Sequence, residues 1–166
     1  MPPPLLEQYA QEYAKSHEMS TSLELLGDGT DGAVWLTSDR TAIKVFHDRK
    51  QFEIEKECYI RLAAAKVKEA RGFAIPQLVD CDGQRKIIEI TTVRAPYLLD
   101  FGKCYLDHTP DFTSEQWAYM YSELQEIYED RYDEVMSAVR SLQQYGIYYY
   151  DIKPKNVLPA NWDPTV

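Results

Sequence analysis

The chain has 166 residues, of which 45% are hydrophobic and 13% aromatic, so it can form one domain with a buried core. Its 27 acidic and 18 basic residues give a net charge of −9, which opposes broad electrostatic binding to nucleic acid. No apolar run has the length of a membrane-spanning helix, and the N-terminus lacks the features of a signal peptide. Three widely spaced cysteines, Cys58, Cys81 and Cys104, suggest neither a disulfide framework nor a zinc site. We therefore expect a soluble cytoplasmic protein that binds neither nucleic acid nor membrane.

The first half of the chain predicts a small antiparallel sheet with flanking helices. Residues 5–15 favour a short helix with Leu6, Tyr9 and Tyr13 on one side. Strands are predicted over 23–26, 33–37 and 41–46, because these segments are separated by glycine-rich or polar turns. A helix is predicted over 51–65, and the β-branched run 87–93 predicts a buried strand.

The last third of the chain is helical and acidic. Thr113 and Gln116 form a capping-box pattern that predicts a helix start at Thr113. Two apolar stripes follow, and we interpret both as core packing. The first stripe is Trp117, Met120, Tyr121, Leu124, Ile127 and Tyr128, and the second is Val135, Met136, Val139 and Leu142. Gly146 is the predicted stop of the second helical stretch.

A glycine-rich segment over 26–34 reads L-G-x-G-x-x-G-x-V. Glycines at this spacing allow the backbone to approach a phosphate chain, with amide groups as donors. The segment that follows is strand-like, which argues against a dinucleotide-binding fold, where a helix would begin. An ordinary hairpin turn is the alternative interpretation, and Asp28 and Asp31 favour it because they add negative charge to a phosphate cradle.

Lys44 interrupts the apolar strand over 41–46, and strand alternation places its side chain on the face opposite Ile43 and Val45. Glu55 lies on the apolar face of the following helix, where an unpaired carboxylate would be costly. We therefore predict that Lys44 and Glu55 pair. The alternative is an exposed lysine on an edge strand and a glutamate in water at the rim of the apolar stripe.

The segment Tyr149-Tyr150-Asp151-Ile152-Lys153-Pro154-Lys155-Asn156-Val157 carries the strongest functional signal. An Asp can accept or orient a hydroxyl proton, a Lys can neutralise a transferring phosphoryl group, and an Asn can hold a metal ion. A proline-containing surface loop is the alternative interpretation.

Taken in order, the glycine-rich loop, the Ala42-Ile43-Lys44 strand, the helix Glu55 and the D-x-K-P-x-N loop resemble the protein-kinase-like superfamily over about residues 23–157. The resemblance implies a small serine/threonine-kinase-like α+β protein. Its N-lobe would be an antiparallel sheet with one main helix, joined by a hinge to a reduced, mostly helical C-lobe. The implied segments are an N-terminal arm 1–22, the N-lobe 23–93, a hinge and linker 94–112, and the C-lobe 113–166.

The resemblance also assigns roles to individual residues. ATP and Mg²⁺ would be the cofactors, Asp151 the catalytic Asp, Lys153 its phosphate-facing companion and Asn156 a Mg²⁺ ligand. The implied nucleotide-binding residues are Gly27, Gly29, Gly32, Val34, Lys44, Glu55, Thr91 and Val93.

The sequence departs from the family pattern around its catalytic loop. Tyr149 and Tyr150 replace the usual His and Arg, which removes the partner of a phosphorylated activation loop. A D-F-G metal motif is expected after the loop, where Asp163 is a poor candidate. The literal Asp100-Phe101-Gly102 precedes the loop, and we interpret it as a helix start or a loop after the hinge, with a ribose contact by Asp100 as the lesser alternative.

These features leave three functions open. The first is a Mg·ATP-dependent phosphotransferase acting on an unidentified acceptor. The second is a pseudokinase that binds nucleotide or a protein partner without turnover. The third is a structural interaction protein that uses its 13 tyrosines and acidic helices. Whether the chain is a fragment or a reduced kinase-like protein stays open as well.

Overall fold

The computed structural model describes residues 1–164, so the last two residues of the predicted segment 113–166 lie outside the described part. The α-helices are α1 (Pro4–Ser16), α2 (Arg49–Ala64), α3 (Ser114–Tyr128) and α4 (Tyr132–Ser141). The strands of the first half are β1 (Glu24–Asp28), β2 (Gly32–Leu36), β3 (Thr41–Phe46), β4 (Glu69–Ala70), β5 (Phe73–Ala74), β6 (Leu78–Asp82) and β7 (Ile87–Thr91). The later strands are β8 (Tyr97–Leu98), β9 (Tyr105–Leu106), β10 (Ile147–Tyr148) and β11 (Val157–Leu158).

A five-stranded antiparallel sheet in the order β1-β2-β3-β7-β6 forms the first half. The predicted helices and strands of this half are confirmed, and β4, β5 and β6 are additions. Helix α2 begins two residues before its predicted start, because the Asp48 side chain accepts the Gln51 backbone N–H at 3.1 Å and caps it.

Strand β3 separates two hydrophobic clusters, one on each face of the sheet. Ile43 and Val45 pack in the cluster that α1 covers. Ala42 and Phe46 belong to the larger cluster, which includes α2, α3 and α4. Since side chains alternate along a strand, Lys44 lies on the α2 side, as predicted.

Helix α1 is tied to the sheet through a buried carboxylate. Glu89 of β7 is 3% exposed and accepts hydrogen bonds from the Tyr13 hydroxyl at 3.0 Å and the Thr41 hydroxyl at 2.6 Å. His17 stacks on Tyr13 and contacts Asp80 at 2.9 Å. The N-terminal arm is therefore an integral layer of the domain, because it covers the face of β3 that points away from Lys44.

The second half packs its helices against the larger cluster. The capping box at Thr113 and Gln116 is present, and the predicted stripe on α4 is buried. On α3 only Leu124 and Tyr128 are buried, and the prediction that Ile127 faces the core is wrong, since its side chain is 37% exposed. A 3₁₀ helix over Leu142–Tyr145 ends at Gly146, whose φ is 73°. Among the described residues, none of the helices combines the length and apolar character needed to cross a membrane.

A change of Tyr13 to Phe tests the tie between α1 and the sheet. Glu89 would keep a single hydroxyl donor in a dry site, so we expect the free energy of unfolding to fall by about 1–3 kcal/mol. Urea denaturation of Tyr13→Phe and of the control Tyr119→Phe measures this, because Tyr119 is 69% exposed. Equal stability of the two variants would contradict the assigned role of Tyr13.

Candidate functional site

Lys44 lies at the centre of the site and is held by two carboxylates. Its Nζ is 2.7 Å from Glu55 Oε2 and 3.0 Å from Asp100 Oδ1. The predicted pairing with Glu55 is therefore present. Asp100 is the partner that sequence reasoning missed, although its literal Asp-Phe-Gly motif was a signal that could have identified it.

The charges of this cluster balance in a buried setting. Burial alone would lower the pKa of the Lys44 ammonium, but Glu55 and Asp100 outweigh burial and raise it. Burial raises the pKa of Glu55 to about 7, although the Lys44 charge acts in the opposite direction. Burial would also raise the pKa of Asp100, but Lys44, the Gly102 backbone N–H and the Lys153 charge outweigh it, and the pKa is lowered. Asp100 is thus the ionised partner of Lys44 at neutral pH.

The glycine-rich loop connects β1 and β2 beside this cluster. A Cβ on Gly32 would lie 2.0 Å from the Val45 carbonyl oxygen, so only glycine fits between β2 and β3. Gly27 and Gly29 have open space around them. The Asp31 carboxylate, a predicted obstacle to phosphate binding, accepts the Gln51 side-chain amide at 3.1 Å and lies 3.6 Å from Lys103 Nζ. Its charge is therefore directed toward α2 and the segment after Gly102.

The D-x-K-P-x-N segment forms a closed loop of internal hydrogen bonds. Asn156 is 1% exposed, and its Nδ2 donates to the Asp151 carbonyl at 2.9 Å and to Asp151 Oδ2 at 3.1 Å. Lys153 Nζ lies 3.1 Å from Asp151 Oδ1. The backbone N–H groups of Asn156 and Val157 both donate to the Lys153 carbonyl. The loop thus presents the Asp151 carboxylate between an amide and an ammonium group.

Strand pairing brings Asp100 to this loop in spite of the chain order. Strand β8, which precedes Asp100, pairs antiparallel with β11, which follows Asn156. The Leu99 N–H donates to the Asn156 carbonyl at 2.9 Å. This pairing therefore places beside the Asp151–Asn156 loop a strand that comes from upstream in the chain. Our inference from the sequence that Asp100-Phe101-Gly102 lies in the wrong position is corrected, and these residues form a loop rather than a helix start.

Three packed aromatic rings connect α2 with the Asp151–Asn156 loop through Phe101. The Phe101 ring packs edge-on against Tyr59 of α2, with ring centroids 5.2 Å apart, and against Tyr149, at 5.6 Å. The Tyr149 hydroxyl donates to the Leu99 carbonyl. All three rings are buried, so they fix the distance between the Lys44 cluster and the Asp151–Asn156 loop.

Of the remaining predicted nucleotide-binding residues, Val34 lies on the same face of the sheet as Lys44, and Thr91 does not. Val34 lies directly opposite Lys44 in the sheet and shares its face. Thr91 lies two residues after Glu89 on β7. Because side chains alternate along a strand, the Thr91 side chain points to the same face as Glu89, the face that α1 covers. Its hydroxyl oxygen accepts the Gln77 backbone N–H at 2.8 Å. Thr91 side-chain contact with nucleotide is thus not supported, and Val93 lies half-buried beyond the end of β7.

The oxygen atoms of Asp100 and Asn156 are of the types that bind a metal ion shared with phosphate. Because Asn156 Nδ2 is used by Asp151, its Oδ1 is the amide atom that can bind a cation. In the described part of the chain, no three His, Cys, Asp or Glu side chains form a metal-binding group. Mg²⁺ is usually held by one or two protein oxygens together with substrate phosphates rather than by a complete protein cage. Asp100 and Asn156 are a donor set of that kind.

Comparisons with known proteins give a distant structural likeness. No protein-family profile matches the chain. No curated protein matches it either. Among solved structures, the aminoglycoside phosphotransferase APH(2")-IIa is similar in its ternary complex with streptomycin and ATP, at 18% identity, a TM-score of 0.45, and coverage of 81% of this chain and 38% of that chain. Its complex with gentamicin is similar at 16% identity and a TM-score of 0.48, covering 89% and 41%. The chain thus spans about two fifths of the length of these structures.

The architecture is α+β, with an antiparallel sheet and packed helices, as the sequence predicts. Two of its features are those that the resemblance noted in the sequence implies: an antiparallel sheet with one helix behind it, and a strand lysine paired to a glutamate on that helix.

A change of Lys44 to Met tests the charge balance of the cluster. It would remove the cation between Glu55 and Asp100, so we expect a loss of about 3–5 kcal/mol in the free energy of unfolding at neutral pH. Both carboxyls would then have folded-state pKa values above those of the unfolded chain. Folding would take up protons, so the loss should shrink as the pH falls through these values toward about pH 5.

Urea denaturation at several pH values measures the effect, with Lys50→Met on the exposed side of α2 as control. A loss that is independent of pH would contradict the assigned charge balance.

Proposed function

We propose that this protein is a Mg·ATP-dependent phosphotransferase. The observation that carries the proposal is the β8–β11 pairing, which brings the Asp100 carboxylate on Lys44 next to the Asp151–Asn156 loop. Phosphoryl transfer depends on positioning and on charge stabilisation around the phosphates, and these residues are the types that supply both.

Each residue has a chemical role in this proposal. Lys44 would bind the α and β phosphates, under a loop whose Gly27 and Gly29 leave the backbone accessible. Asp100 and Asn156 would hold Mg²⁺, which neutralises charge on the phosphates when it is bound. Asp151 would orient the acceptor hydroxyl and accept its proton, and Lys153, 3.1 Å from Asp151, would face the transferred phosphoryl group.

The acceptor would bind in an open groove beside the catalytic loop. The groove has a volume of about 670 Å³, and Tyr150, the neighbour of Asp151 in the chain, forms part of its wall. Its lining residues are Phe112, Thr113, Glu115, Gln116, Tyr119, Met120 and Tyr150. Since these include a carboxylate and no basic side chain, the groove favours an uncharged or cationic acceptor over an anionic one.

Nucleotide binding without transfer is the second candidate function. Both Asp151 oxygens already have partners, Lys153 on Oδ1 and Asn156 on Oδ2. These contacts satisfy the carboxylate within the loop, which is compatible with a binding role, while each oxygen keeps one further acceptor site.

Thermal unfolding with and without Mg²⁺ and ATP tests nucleotide binding. A ligand that binds only the folded state stabilises it, by about 2.7 kcal/mol at one hundred times its Kd. We expect a Mg-dependent rise in Tm that is reduced in Asp100→Asn and in Asn156→Ala. The control is Asp39→Asn, in the exposed turn before β3. No rise at millimolar ATP in the unchanged protein would refute the proposal.

Release of ADP separates the two candidate functions. Asp151→Asn should keep the thermal response to Mg·ATP and lose slow ATP turnover, with water as the acceptor. An unchanged protein that binds Mg·ATP tightly, with turnover equal to that of Asp151→Asn, would instead identify a non-catalytic nucleotide-binding protein.

A further inference from the structure

The Arg61 guanidinium joins three segments that surround the site. Its Nη1 and Nη2 each lie 2.8 Å from one oxygen of the Asp107 carboxylate. Nη1 also donates to the carbonyls of Tyr145 and Gly146, at 3.2 and 3.3 Å, and Nε donates to Glu57 at 3.0 Å. One side chain therefore connects α2, the segment after β9 and the end of the 3₁₀ helix before β10.

The receiving surface is built closely around this guanidinium. The Asp107 N–H donates to the Gly146 carbonyl at 2.8 Å, which joins the two receiving segments. A Cβ on Gly146 would lie 2.2 Å from Asp107 Oδ1 and 2.4 Å from Arg61 Nη1. Glycine is therefore required at 146 for the contact as well as for its left-handed φ of 73°.

Each joined segment leads within a few residues to a group of the site. Glu55 precedes Arg61 by less than two turns on α2; its carboxylate binds Lys44 of β3, whereas the Arg61 guanidinium reaches the second half of the chain. The Asp107 segment begins at Asp100, and Gly146 leads through β10 to Asp151. Because β9 pairs with β10, a contact at Asp107 and Gly146 fixes both segments together.

The Arg61 contact adds to the restraint that the Tyr59, Phe101 and Tyr149 rings place on α2. Tyr150 takes the place of the family's arginine, and its ring packs against Trp117 at 5.2 Å and Tyr105 at 6.3 Å. An aromatic ring cannot bind a phosphorylated side chain as a guanidinium does. The contacts that hold α2 at this edge are therefore those of unmodified side chains, Arg61 to Asp107 and Tyr59 to Phe101.

We propose that Arg61 is the positioning residue that holds α2 against the catalytic segments, so that Lys44, Glu55 and Asp100 assemble without a covalent modification. The role of Arg61 in catalysis rests on the proposed function, whereas its role in positioning α2 does not depend on it. An exposed ion pair alone contributes little, whereas a planar guanidinium with a bidentate carboxylate and two carbonyl acceptors fixes orientation. A lysine cannot reproduce this geometry.

The first measurement is the rate at which an amine-reactive sulfonate, trinitrobenzenesulfonate, modifies Lys44, detected by peptide mass spectrometry. Lys44 is 7% exposed when paired, so its modification requires α2 to move away. We expect modification about tenfold faster in Arg61→Ala, and a clear increase in Arg61→Lys despite the retained charge. The matched control is Arg85→Ala, which removes a similar double contact, to Glu12 and Asp82, on the far side of the sheet.

The second measurement is the Kd for Mg·ATP in the same variants. We expect it to rise about tenfold in Arg61→Ala and to change by less than about twofold in Arg85→Ala. A general loss of stability would change the Kd of each variant in proportion to the change in its Tm. A difference in Kd between variants of equal Tm therefore identifies a positioning role for Arg61.

Several outcomes would overturn the inference. Modification of Lys44 at the unchanged rate in Arg61→Ala, or a rate that simply follows Tm in both arginine variants, would show that Arg61 only stabilises the fold. If Arg61→Ala does not fold, Asp107→Asn breaks the same bidentate contact from a side chain that is 67% exposed. If the unchanged protein binds no ATP, the proposed function fails, while the modification rates still decide the role of Arg61.

Discussion

The structure depends on one buried cation, the Lys44 ammonium, and on the two carboxylates that neutralise it. Glu55 comes from α2 and Asp100 from the loop after β8, so the pairing joins the sheet to both halves of the site. A buried charge of this kind is tolerated only when its partners are close and fixed. The cluster therefore requires both opposite charges and a fixed arrangement of the three side chains. Covering layers on both faces of β3 satisfy that demand, because they leave the strand little freedom to move.

Local chemistry made much of the first half predictable. The alternation of β3 placed Lys44 opposite Ile43 and Val45, and the helical spacing of α2 placed Glu55 beside Phe52 and Tyr59. Both patterns depend on neighbours within a few residues, which is the range over which hydrophobic periodicity carries information. The same local rules identified the cap at Thr113 and the stop at Gly146.

The position of Asp100 was beyond these rules because it depends on a strand pairing between distant residues. Strands β8 and β11 are two residues each, too short for a periodic pattern, and they are separated by α3 and α4. Chain order was then the only guide, and it indicated the wrong place for Asp100-Phe101-Gly102. The glycine-rich loop shows the complementary case, since spacing identified Gly32 but only the β2–β3 packing explains why a side chain is excluded there.

The segment that carries Asp100 precedes the Asp151–Asn156 loop in the chain and pairs with the strand that follows it, and this arrangement affects the contacts of α2. The segment that carries Asp100 and the segment that carries Asp151 both contact α2 near its C-terminal end, through Arg61. Strands β9 and β10 pair with each other at this point. Asp107 and Gly146 lie side by side there, so a single guanidinium on α2 reaches both. Arg61 would lose two of its five acceptors if either segment were displaced. The pairing of β9 with β10 thus brings the Asp107 carboxylate and two backbone carbonyls within reach of one guanidinium, and a side chain at Gly146 would collide with both Asp107 and Arg61.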